Sequence, residues 1–132
     1  MNILAVLAGG GAGAVCRYLL SKVLSEHSSN YIPAGTVAVN LMGAFIIGFL
    51  FEAFSAYEVR PLVRLLLTTG FLGGFTTFST YALEAVQLFR AQQYFRGILY
   101  IALHDVLGLV IVVLGMLAFI GLKNLMQGGF HA

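Results

Sequence analysis

An all-α membrane protein of four transmembrane helices is the fold class this sequence predicts, and three observations predict it. Of the 132 residues, 60% are hydrophobic and only 9% charged, whereas soluble domains are nearer a quarter charged. The mean hydropathy is +0.96, and a water-soluble chain of this size could not bury so much apolar surface. The apolar residues fall into four stretches of the length a bilayer requires, about 20 residues each. They cover approximately 3–23, 34–54, 62–89 and 98–122, joined by short connections, so residues 1–132 read as a single four-helix membrane domain.

Other classes find little support. The seven basic residues are scattered and the net charge is only +2, which argues against nucleic-acid binding. The single cysteine, Cys16, lies in an apolar run and reads as a small packing residue. No Ser-His-acid or metal-ligand arrangement points to an enzyme.

The first span has no basic stretch ahead of it, its first arginine being Arg17, and so reads as a membrane helix rather than a signal peptide. Its Gly9–Ala14 run loosely matches a dinucleotide fingerprint, but no carboxylate follows at 30–35 and no βαβ unit is available. Helix packing accounts better for the pattern. Gly9, Gly13 and Arg17 are spaced by four on one face, and small residues there let backbones approach closely. Arg17 either snorkels to the interface or is a fixed positive charge drawing anions to a vestibule. A polar connector, 25–33, follows.

In the second span Thr36, Asn40, Gly43 and Ala44 make a narrow polar and small face. An asparagine in hydrocarbon must be satisfied, by an interhelical hydrogen bond or by lining an ion path. The third span contains the most unusual stretch, Thr68–Glu84, rich in hydroxyls and carrying Gly70, Gly73 and Gly74. Its centre falls near Thr77, so the Gly73-Gly74 pair with Thr76, Thr77, Ser79 and Thr80 predicts a helix broken near the bilayer midplane. Residues 91–97 read as a short turn. The fourth span then carries Tyr100, His104 and Gly108 on one face, with Asp105 adjacent to His104, and a loose polar tail over 124–132.

Charge leaves the orientation nearly undetermined. Arg60, Arg64 and Lys123 fall on one side, Lys22, Arg90 and Arg96 on the other, which gives the positive-inside rule almost nothing to act on. Insertion in both orientations and an antiparallel dual-topology dimer are the expectation.

These residues together resemble the Fluc/CrcB fluoride-channel family over nearly the whole chain. The match includes Gly9-x-x-x-Gly13-Ala14-x-x-Arg17-Tyr18, Gly35-Thr36-x-x-Val39-Asn40, and the long motif from Thr68 to Glu84. The resemblance implies a fluoride-selective channel giving passive fluoride efflux and fluoride resistance, in the cell (inner) membrane. It implies an antiparallel homodimer with two pores, and a structural Na+ on the two-fold axis held by main-chain carbonyls of Gly73 and Thr76. The fluoride path it implies uses Asn40 as a donor and the ring edges of Phe78 and Tyr81, with Ser79, Thr80, Tyr100 and Glu84 as further contacts.

Two features depart from the family pattern. Tyr81 stands where a second Phe is usual, and the span-four face Tyr100, His104, Gly108, Val112 lacks later hydroxyls. Either conduction is altered, or a homologous second subunit supplies the missing groups. Two rival readings are a small proton-coupled multidrug exporter, which needs an intramembrane carboxylate, and a non-conducting assembly subunit, for which the glycine faces are packing alone.

Overall fold

The computed structural model describes residues 1–26 and 32–128, and all regular structure among them is helical. Four helical stretches are long and apolar enough to cross a membrane: Asn2–Leu24, Ala34–Ala56, Pro61–Arg90 and Tyr94–Gln127. Helix α1 covers Asn2–Glu26 and α2 covers Ala34–Ala56. Helix α3, Pro61–Leu65, opens on a proline, a residue suited to the first helical position because the amide it lacks has no helical partner there. Arg64 fastens this corner. Its guanidinium donates to the Phe54 carbonyl at 3.1 Å and sits 5.1 Å from the centroid of the Phe54 ring.

Past α3 the backbone widens into a π-helix over Leu66–Leu72, then tightens into α4, Gly73–Phe75. Thr76 (φ −85°, ψ 159°) and Thr77 (φ −146°, ψ 110°) are extended. Helix α5, Phe78–Arg90, resumes after them, and α6 runs over Tyr94–Gly128.

Glycine contacts decide how closely these helices approach. A Cβ on Gly9 would overlap the Leu66 carbonyl, and one on Gly13 the Phe71 carbonyl, so α1 lies directly on the π-helical backbone. Gly74 likewise abuts the Gly10 carbonyl. On the opposite flank, Gly48 of α2 meets the Val112 carbonyl and Gly115 of α6 meets that of Phe45. Between these contacts sit two small cores: Val39, Leu72 and Phe75, and then Tyr81, Ala85 and Tyr100. Large apolar side chains such as Leu7, Ile98 and Leu109 point outward, as lipid contact requires.

Two expectations at the helix ends need correction. The turn expected over 91–97 shrinks to Ala91–Gln93. Gln92 takes φ 58°, and the Gln92 and Gln93 amides bond back to the Phe89 and Leu88 carbonyls at 2.9 Å each, a tight closure that satisfies the end of α5. Gly97 is then no turn residue. It is buried within α6, where a Cβ would come 2.9 Å from the Phe89 ring. The tail expected to be loose from Asn124 is helical through Gly128; 129–132 lie outside the described residues. Of the connector 25–33, residues 27–31 also lie outside them, and α1 persists to Glu26.

Candidate functional site

The site begins at the extended pair Thr76-Thr77. Thr76 closes α4 by giving both its amide and its hydroxyl to the Leu72 carbonyl, each at 2.9 Å. Thr77 is then gripped from α2. Its amide donates to Asn40 Oδ1 at 2.8 Å, and its carbonyl accepts from Asn40 Nδ2 at 3.0 Å. Its own Oγ1 accepts the Thr80 amide at 3.2 Å, capping α5, and donates to Thr80 Oγ1 at 2.9 Å.

These bonds divert two amides from their helical targets. In an unbroken helix the Thr77 amide would reach the Gly73 carbonyl, and the Thr80 amide the Thr76 carbonyl. Here they go to Asn40 and to the Thr77 hydroxyl. The carbonyls of Gly73 and Thr76 are thereby released from the helical ladder.

Two carboxylates, Glu84 of α5 and Asp105 of α6, each accept a tyrosine hydroxyl across the α5–α6 contact. Glu84 accepts from Thr36 Oγ1 at 3.1 Å and, at its other oxygen, from the hydroxyl of Tyr100, a residue with 0% exposure. Asp105 accepts from the Tyr81 hydroxyl at 3.2 Å. His104 packs against both tyrosines, whose own rings are 5.7 Å apart. Its ring stacks on Tyr81 with centroids 4.3 Å apart and meets Tyr100 edge-on at 4.5 Å. His104 Nδ1 is 3.0 Å from the Tyr100 carbonyl, which can only accept, so Nδ1 carries the proton. Nε2 is left buried with no hydrogen-bond partner among the described residues.

Two cavities of about 440 Å³ border the break. One is lined by Arg17, Lys22, Thr36, Thr77, Thr80 and Glu84. Arg17 is half-buried there, its Nε without a hydrogen-bond partner among the described residues. The other cavity is lined by Asn40, Thr76, Phe78, Tyr81, His104 and Asp105, with Gly73 at its edge. Thr77 borders both.

The sequence-predicted residues thus divide between two places. Asn40, Phe78, Tyr81, Gly73 and Thr76 gather around one cavity, and Arg17, Thr80 and Glu84 around the other. Phe78 is 77% exposed, its ring 5.6 Å from that of Tyr81 in an edge arrangement. Tyr100 borders neither cavity and commits its hydroxyl to Glu84. Ser79 is exposed beside Thr77 and also borders neither. Gly9 and Gly13 lie on the α1 contact. Thr36 and Thr77 were missed as site residues. The signal for Thr77 was present, since a threonine just before a resumed helix is a good N-cap. Among the described residues no cluster of three or more His, Cys, Asp or Glu is arranged to hold a metal.

Comparison with known proteins assigns the chain as a whole to a family. Residues 4–116 match the family model described as CrcB-like protein, Camphor Resistance (CrcB). A protein from Hydrogenobaculum sp. is 47% identical over 116 residues, 87% of this chain and 94% of that one. A protein from Aquifex aeolicus is 45% identical over 114 residues, 86% of this chain and 92% of that one. One from Methanopyrus kandleri is 44% identical over 118 residues, 89% and 88% respectively. All three carry the name Fluoride-specific ion channel FluC, the name of a channel rather than an enzyme. With four helices long and apolar enough to span a membrane and a family match over most of its length, this chain belongs to the Fluc/CrcB family of multi-pass membrane proteins.

Proposed function

We propose that this protein is a fluoride-selective channel of the cell (inner) membrane that lets fluoride leave passively and so confers fluoride resistance. The observation that carries the reading is the Thr76-Thr77 extension, clasped by Asn40 at the centre of the apolar stretch Pro61–Arg90 and bordered by a cavity on either side. In the membrane that position is a break of the third span near the bilayer midplane, where polar backbone is tolerated only if buried or lining a cavity. The names carried by the relatives support fluoride as the ion.

Fluoride is small and strongly hydrated, so a pore must replace its water with several close donors. Asn40 spends one Nδ2 proton on the Thr77 carbonyl and keeps the second for an anion. Phe78 offers a ring edge, the positive part of the aromatic quadrupole, and Tyr81 holds the neighbouring ring within 5.6 Å. The Arg17 and Lys22 cavity gathers anions ahead of this path.

In our reading two copies pair antiparallel, so that each fluoride path is lined by both. Support comes from the balanced basic residues of the two sides and from the exposed Phe78 and Gly73, which a lone chain leaves uncovered. The released carbonyls of Gly73 and Thr76 suit a hard cation served by oxygen ligands. A Cβ at Gly73 would meet only the Thr68 carbonyl, at 3.9 Å, so that face is open to a second chain. Na+ held there by both copies would supply fixed positive charge where the two broken spans cross. This chain's part is to release the carbonyls by drawing the Thr77 and Thr80 amides away.

Phe78→Ile tests the path directly. Purified and reconstituted, it is expected to remain a dimer by cross-linking but to lose fluoride efflux from liposomes. Near-normal efflux would remove Phe78 from the path.

A further inference from the structure

The cavity beside Phe78 contains ionisable groups that the anion path leaves unused. His104 and Asp105, neighbours on α6, both line it, and Tyr81 touches both, its ring stacked on His104 and its hydroxyl bonded to Asp105. Asp105 is exposed on a segment that spans the membrane, and among the described residues no lysine or arginine pairs with it. Its hydrogen-bond donor is the Tyr81 hydroxyl. An ionisable side chain at such depth is costly, and function is the usual reason it persists. His104 gives its Nδ1 proton to the Tyr100 carbonyl and leaves a buried Nε2 lone pair with no donor facing it.

We propose that His104 and Asp105 form a proton-binding site on the wall of this cavity, and that protonating the pair raises fluoride flux. The inference rests on the channel reading. Both protonations act in one direction. A proton on Asp105 removes a negative charge beside a path whose cargo is an anion. A proton on His104 Nε2 adds a positive charge at the cavity wall; Nε2 itself is buried, so the charge acts on a passing anion through its field and not by contact.

The surrounding groups do not cancel this effect. From α5 the titratable side chains are Tyr81, bonded to Asp105, and Glu84, whose oxygens are occupied by Thr36 and Tyr100. Tyr100 is the further one on α6 itself. From α2 the cavity receives Asn40, and from the π-helix and α4 it receives Leu72 and Gly73, none of them titratable. Tyr81 and Asp105 also belong together. The phenol that departs from the family's phenylalanine is the group that donates to the carboxylate.

The test is fluoride efflux from liposomes at about pH 7.5 and about pH 5.5. Wild type, Asp105→Asn and His104→Gln are compared, and efflux from protein-free liposomes is subtracted because hydrogen fluoride crosses lipid unaided. Wild type is expected to run about threefold or more faster at the lower pH, as charge at a pore wall affects anion supply. Asp105→Asn should be faster than wild type at the higher pH and lose part of the pH response. His104→Gln should lose most of it. Equal wild-type rates at the two pH values, or a full response in both variants, would overturn the inference and leave the channel intact. No flux from any of the three at either pH would overturn the channel reading, and this inference with it.

Discussion

Asn40 gives both ends of its amide to one residue, and Thr77 answers with its main-chain N–H and C=O. That two-point grip holds a non-helical residue in a helical span, where an unpaired amide or carbonyl has no water to turn to. Asn40→Asp keeps the shape and the acceptor for the Thr77 amide but sets a carboxylate oxygen against the Thr77 carbonyl. The variant is expected to be destabilised by about 3 kcal/mol, the upper end for stranding a buried polar group. A lowered melting temperature in detergent checks this; an unchanged one would show that the grip contributes nothing. From the sequence, Asn40 was legible as a polar residue needing a partner. The partner was not, because it is a main-chain group 37 residues away that becomes available only where the helix stops. Tyr81 shows the same limit. Its hydroxyl was visible as a departure, but Asp105 as its acceptor depends on how α5 meets α6.

At the scale of elements, the contact of α1 with the π-helix carries the clearest expectation. A Cβ on Gly13 would overlap the Phe71 carbonyl and come 2.9 Å from the Phe75 amide nitrogen, whereas one on Gly11 meets nothing within 4 Å. Gly13→Ala should therefore cost about 2 kcal/mol through overpacking. Gly11→Ala should be neutral, or stabilising by up to about 1 kcal/mol, through helix propensity. Melting curves of the two variants in the same detergent decide it; equal shifts would contradict the contact. The spacing of Gly9 and Gly13 made this face readable in advance. The π-helix opposite was not, since one extra residue in a turn leaves no mark in composition. The early start of α6 was hidden for a related reason. Gly97 looks like punctuation but is there because the Phe89 ring leaves no room for a side chain, while the left-handed position is held by Gln92.

For the whole molecule, the four-span architecture was legible because hydropathy and length are sufficient for it. The two cavities were not, since each draws residues from three or more helical segments. A single chain leaves Phe78 and Gly73 facing outward, and the pairing of two such chains is what would turn the open cavity beside them into a path. Selectivity in this account comes from close coordination by Asn40, hydroxyls and ring edges, too tight for a larger halide. The most direct measurement is therefore efflux from liposomes carrying the purified protein and loaded with equal fluoride and chloride. Rapid loss of fluoride with chloride retained is the predicted result. Release of both anions at similar rates, or of neither faster than from empty liposomes, would contradict the account.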